Sequence, residues 1–122
     1  MNLKRVLGIS FFCFLTAFLS AQETDLDLAE YYFKAGEFAS ARLYYQEIYK
    51  NNTTNRVHEK YLQTLIALEE YDEAEKIAKK KLKRARDKYF GHQDLGVLYK
   101  TLGAHDDADE QFGLAIKELQ SG

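Results

Sequence analysis

Apolar residues recur along the chain with the 3.6-residue period of a helix, in six segments. Ala41, Tyr44, Tyr45, Ile48 and Tyr49 stand at i, i+3, i+4, i+7 and i+8, which is one stripe of an amphipathic helix. Ala74, Ile77, Ala78, Leu82 and Ala85 repeat that stripe, and Ala108, Phe112, Ala115, Ile116 and Leu119 repeat it again. Upstream of each stripe, Leu28 with Tyr32, Tyr61 with Leu65 and Leu68, and Leu95 with Tyr99 and Leu102 mark a further helix. The pattern predicts an all-α chain of six helices in three hairpins.

The hairpins are spaced regularly. Ala41, Ala74 and Ala108 are 33 and 34 residues apart, and a period near 34 means stacked helical units. Three residues before each alanine stands a ring: Phe38, Tyr71 and His105. Two residues before the first and third rings stands Gly36 or Gly103, suited to the positive φ of a helix-ending turn. The second block has no glycine there and is one residue shorter, so its register stays open.

These residues resemble the tetratricopeptide repeat family, whose pattern is Leu-Gly, an aromatic three further on, a turn glycine, then Ala and an aromatic four later. The third block matches best, with Leu95, Gly96, Tyr99, Gly103, Ala108 and Phe112. The first has Leu28, Ala29, Tyr32, Gly36, Phe38, Ala41 and Tyr45, and the second keeps Tyr61 or Leu62, Tyr71 and Ala74. The family's early Trp and closing Pro are missing from all three. The resemblance implies a right-handed α-solenoid of three repeats, over about residues 22–55, 56–88 and 89–122, with small residues at helix crossings and rings between hairpins. Such units bury their apolar faces only against neighbours, and a polar-faced helix usually closes the array. Here the last stripe, with Phe112 and Leu119, stands at the end of the sequence without one.

The segment ahead of the repeats has a different character. Lys4 and Arg5 precede an apolar run from Val6 to Leu19, followed by Ser20 and Ala21. That is the layout of a secretory signal peptide over residues 1–21, and the run is shorter than the roughly 20 residues a spanning helix needs. A retained anchor is the alternative. Ser10, Phe11 and Phe12 before Cys13 are unlike the small residues of a lipobox. Cleavage after Ala21 leaves a domain over residues 22–122 with no cysteine, at home in any redox compartment. The expected location is outside the cytoplasm, periplasmic or extracellular, and for a bacterial signal the cell envelope.

Composition narrows the class: 46% hydrophobic, 14% aromatic and 30% charged residues without Pro or Trp exclude disorder and a disulfide scaffold. Net charge is -2, giving no global attraction to nucleic acid or anionic membrane. Charge is nonetheless segregated. The three blocks carry 3 basic and 6 acidic residues, then 10 and 7, then 2 and 6. Within the middle block, Lys76, Lys79, Lys80, Lys81, Lys83, Arg84, Arg86 and Lys88 put eight cations in thirteen residues. Most lie off the stripe of Ile77, Ala78, Leu82 and Ala85, as the solvated face of an amphipathic helix does. A weak electrostatic contact with lipid headgroups or an acidic protein is the functional alternative, with Lys76, Lys79, Lys80, Lys83 and Arg84 its candidates.

Catalytic parts are not assembled in the sequence. His58, His92 and His105 are 34 and 13 residues apart, far from the i, i+4 spacing of a helical metal site. Asp106, Asp107, Asp109 and Glu110 suit the positive end of a helix dipole better than a cation. No phosphate loop or nucleophile elbow is present. The expectation is a non-enzyme without cofactor or metal that binds a protein or peptide partner and no nucleic acid. By the resemblance, the concave groove is lined by Glu30, Phe33 and Lys34, by Lys60, Thr64 and Ala67, and by Gln93, Val97 and Lys100, with core packing the competing role for Phe33 and Val97. The family's carboxylate clamp is not reproduced, because Leu26, Glu30, Phe90 and Asp94 hold its positions. An adaptor or scaffold is the first reading. The others are an amino-terminal sensor or accessory segment of a larger envelope protein or enzyme, and a homodimer through the uncapped last helix.

Overall fold

The structure, a computed structural model, describes residues 25–121. The leader expected over residues 1–21 lies outside them. Among the described residues all regular structure is helical: α1 over 25–34, α2 Phe38–Tyr49, α3 Asn55–Ala67, α4 Tyr71–Leu82, α5 Lys88–Thr101 and α6 His105–Ser121. A turn of 3-10 helix, Ala85–Asp87, stands between α4 and α5. None of these helices is long and apolar enough to cross a membrane.

The same backbone turn ends α1, α3 and α5. Gly36, Glu69 and Gly103 take φ of 75°, 59° and 79°. The next amide, of Glu37, Glu70 or Ala104, donates to the carbonyl five residues back, Tyr32, Leu65 or Tyr99, in each case at 2.9 Å. The amide of the left-handed residue itself donates to Phe33, Ile66 or Lys100. These paired bonds satisfy carbonyls that a helix end leaves unused. The following helix starts identically each time, with the amides of Ala41, Ala74 and Ala108 donating to the carbonyls of Glu37, Glu70 and Ala104. Phe38, Tyr71 and His105 are the first residues of α2, α4 and α6. The period of 33 and 34 residues is therefore a period of backbone geometry. It also fixes the second hairpin: Glu69 occupies the place of the absent glycine, and the missing residue lies outside the turn.

Two compact units are distinguished by their internal contacts, divided within α3 between Tyr61 and Leu62. In the first, rings do the packing. Tyr32 stacks on Tyr44 with centroids 5.8 Å apart, and Phe33 meets Phe38 and Tyr45 edge-on at 5.5 and 6.5 Å. Tyr49 of α2 lies 5.1 Å from Tyr61 of α3 and shares a 3.0 Å hydrogen bond with Nδ1 of His58. Ala29 and Ala41 are fully buried.

In the second unit, α4 packs on α5 and α5 on α6, each helix against its neighbour in sequence. Close approach requires glycine at two points. A Cβ on Gly96 would lie 2.6 Å from the Phe112 ring of α6, and one on Gly91 would lie 2.7 Å from the Leu82 side chain of α4. Ala74, Ala78, Ala108 and Ala115 are buried along the same helices.

Helix α4 departs from its expected extent. The apolar stripe includes Ala85, but the helix stops at Leu82, and Arg84 is extended at φ -90°, ψ 121°. Continuing it would set Lys79 beside Lys83 and Lys80 beside Arg84, like charges one turn apart that disfavour helix.

Candidate functional site

The nine residues expected to line a binding surface are distributed over α1, α3 and α5, and the structure treats them differently. On the first unit it gathers three. Glu30 of α1 forms an ion pair with Arg56 of α3, and the Lys60 ammonium stands 4.5 Å above the Phe33 ring. Cations over ring faces are attracted by the ring quadrupole, so this contact holds α1 and α3 together. Phe33 is half-buried between Lys60 and the rings of Phe38 and Tyr45, which makes packing a large part of its role. Lys34 is exposed.

Behind this cluster Tyr45 is fully buried, and its hydroxyl has no hydrogen-bond partner. Burial pushes its phenol up to about 12, Glu30 adding to the effect and Arg56 opposing it.

Thr64 requires a correction. It is fully buried, so it is not available as a surface contact. On α3 it stands three residues after Tyr61, which is also buried. Ala67, at the end of α3, is exposed. On α5, Gln93, Val97 and Lys100 stand at i, i+4 and i+7, all exposed, with Val97 46% accessible. They form a polar strip with an apolar centre. Val97 is thus a surface residue rather than a core one.

The basic run is mostly surface. Lys76, Lys79, Lys80, Lys83, Arg84, Arg86 and Lys88 are exposed, Lys79 pairing with Glu75 at 2.5 Å and Arg84 lying 3.9 Å from Asp87. The hydrogen bond from Lys79 to Glu75 holds the Lys79 ammonium above its ordinary value. Glu75 also accepts from the Tyr99 hydroxyl at 3.4 Å, and burial, then Glu75, raises that phenol. Lys81 differs from the other seven: it is 5% exposed, on the buried face with Ala74, Ile77 and Ala78, its ammonium 5.2 Å from the Phe90 ring.

The remaining chemistry-bearing residues are engaged in the fold. His58 is buried against Tyr49, His92 Nδ1 and Gln111 Oε1 are 2.8 Å apart, and His105 opens α6. Asp106 and Asp107 lie in the first turn of α6, and Asp72 and Glu73 in that of α4. A cleft of about 410 Å³ in the first unit is lined by Asp25, Leu26, Glu47, Ile48, Asn51 and Asn52. It presents carboxylates and amides with no nucleophile beside a base. Sequence reasoning does not single out Arg56, although it precedes Lys60 by four residues and so shares a helix face with it. Lys81 stands at the stripe spacing from Ala74, Ile77 and Ala78, but its charge reads as surface.

No protein-family model matches the chain, and no curated protein sequence does.

Proposed function

We propose that this chain is a non-catalytic interaction module, a tetratricopeptide-like α-solenoid of the cell envelope. It acts as an adaptor or scaffold by holding a peptide or helix against the first helices of its hairpins. The observation that carries this reading is the threefold recurrence of one turn at Gly36, Glu69 and Gly103, each followed by a buried alanine at 41, 74 and 108. Chains built from such repeats expose a continuous row of first-helix side chains, which is a surface for an extended partner. Lys34 on α1, Ala67 on α3, and Gln93, Val97 and Lys100 on α5 are exposed first-helix residues. The signal-like residues 1–21 support export.

The test is crosslinking capture from envelope extracts with the carboxy-terminally tagged chain, beside a Val97→Glu, Lys100→Glu variant. Both positions are exposed, so the variant keeps its helical circular dichroism. A prey recovered by the parent and reduced at least about tenfold by the variant supports the reading, since central contacts dominate such interfaces. Equal recovery by both removes it.

A second reading is favoured by Ile116 and Leu119, which are 55% and 62% exposed on α6. Apolar side chains displayed so openly on the last helix suit self-association. An accessory role at the amino terminus of a larger envelope protein or enzyme is compatible with either surface.

A further inference from the structure

The cations of the middle block exceed what the helices need. Basic residues in the last turn of α4, Lys79, Lys80 and Lys81, face the negative end of its dipole and stabilise it. Lys83 is the C-cap residue and shares that role, whereas Arg86 and Lys88 lie beyond the end of α4. Lys88 is the first residue of α5, where the dipole disfavours a cation; Asp87 at the N-cap is the one carboxylate there, and the first turn of α5 contains none, unlike those of α4 with Asp72 and Glu73 and of α6 with Asp106 and Asp107. Among the described residues, no ion pair holds Lys76, Lys80, Lys83, Arg86 or Lys88. Near them, in the first turn of α5, Phe90 is 40% exposed, its ring 5.0 Å from that of Tyr89. Unneutralised cations and an open aromatic ring therefore occupy the same end of the α4–α5 pair, around the 3-10 turn.

We infer that this end of the second unit is a docking surface for an anionic lipid bilayer. Lys80, Lys83, Arg86 and Lys88 lie over the headgroup phosphates, and Phe90 enters the interface. Lysine dominates the set, and its hydrated point charge on a flexible stem suits a field of mobile headgroups. A fixed acidic protein face would instead favour the planar fork of arginine. An aromatic ring among cations is the composition of an interfacial binder, where apolar burial and electrostatic attraction add. Its cations Lys80, Lys83 and Arg86 lie on α4 and the turn after it, while Lys88 and Phe90 open α5, where Phe90 shares a helix face with Gln93 and Val97 of the row proposed to hold a peptide.

The experiment is co-sedimentation of the full chain with vesicles of phosphatidylcholine alone or with about one-third phosphatidylglycerol. Lys4, Arg5 and the apolar segment Val6–Leu19 are common to the parent and every variant, so the difference between parent and neutralised variant on anionic vesicles reports the α4–α5 cations. Each cation near an anionic leaflet contributes roughly a fivefold gain in partitioning. Lys80→Gln, Lys83→Gln, Arg86→Gln together should weaken binding to anionic vesicles about 100-fold and leave neutral vesicles unaffected. The charge-conserving Lys80→Arg, Lys83→Arg, Arg86→Lys variant should bind as the parent does. Because the chain has no tryptophan, Phe90→Trp supplies a single reporter whose emission should shift to the blue on anionic vesicles only. Equal binding to both vesicles, or undiminished binding by the neutralised variant, overturns the proposal. So does an unshifted emission from the Phe90→Trp variant once it is bound to vesicles. Retention on polyglutamate with no preference for anionic vesicles also overturns it, in favour of an acidic protein partner.

Discussion

Glu69 holds φ at 59° in a turn whose two counterparts are glycines, so an L-residue bears a conformation that costs roughly 1–2 kcal/mol without a compensating backbone contact. Glycine would remove that cost while raising the entropy of the unfolded chain by about 0.5–1 kcal/mol. Glu69→Gly is therefore expected to stabilise the fold by up to about 1 kcal/mol, seen as a rise of a few degrees in the thermal midpoint. The reverse exchange at Gly103, where a Cβ would touch nothing within 4 Å, isolates the backbone effect: Gly103→Ala should destabilise by about 1 kcal/mol. Equal midpoints for the parent and Gly103→Ala would mean that this turn is not shared. At Tyr45 the residue-scale effect depends on pH. Folded Tyr45 keeps its proton to about 12, whereas the unfolded phenol loses it near 10, so the unfolded state binds fewer protons between those values. Its contribution is complete below pH 10 and is lost as pH rises toward 12. Tyr45→Phe should flatten that part of the stability profile. It also removes a buried hydroxyl without a partner, so at neutral pH the variant should be no less stable than the parent, as denaturant titration will read.

Between elements, the crossing of α5 and α6 rests on having no side chain at Gly96. Gly96→Ala drives a Cβ into the Phe112 ring, and overpacking of this kind costs about 1–3 kcal/mol. Gly113→Ala on α6 is the control: it meets nothing within 4 Å and replaces a poor helix former, so it should stabilise by about 0.5–1 kcal/mol. Ala108→Leu, at a position 2% exposed on α6, should behave like Gly96→Ala. Thermal melts moving in the same direction for Gly96→Ala and Gly113→Ala would contradict the packing. At this scale the sequence is legible wherever a residue type has one structural use. Gly36 and Gly103 mark left-handed turns, and the Ala series marks buried small positions. It is illegible where the residue type points elsewhere. Glutamate carries no signature of a left-handed turn, so only the φ of Glu69 closes the second register. Lysine reads as surface, so Lys81 joins the solvated run although its side chain lies on the core face. The stripe through Ala85 predicts a longer α4, because periodicity records apolar spacing and not the repulsion of successive lysines. Among the site candidates Thr64 fails for a related reason: aligned spacing assigns a face, but burial depends on what packs there.

At the scale of the molecule, the chain's partner is not written in the way its turns are, since contacts made with other molecules impose no period on the sequence. The exposed stripe of α6 nevertheless yields a definite expectation. Ile116 and Leu119 stand at i and i+3 on one helical face, more than half exposed, and covering them with a second copy removes apolar surface from water. One helix face buries less than the roughly 1,200 Å² of a stable interface, so an association through it would be weak and appear only as concentration rises. Sedimentation equilibrium should show an apparent mass that climbs with concentration, and the thermal midpoint should climb with it. Phe112 is a poor probe of this, because its ring already packs over Gly96 and its loss would loosen the α5–α6 pair. Leu119→Lys with Ile116→Gln changes only exposed positions, so its helicity is retained while the mass stays monomeric. A parent chain that is monomeric throughout removes self-association and leaves α6 as a face for a different partner. A variant that still associates transfers the contact to another surface, with Tyr31 and Leu43 of the first unit, 65% and 64% exposed, the next positions to change.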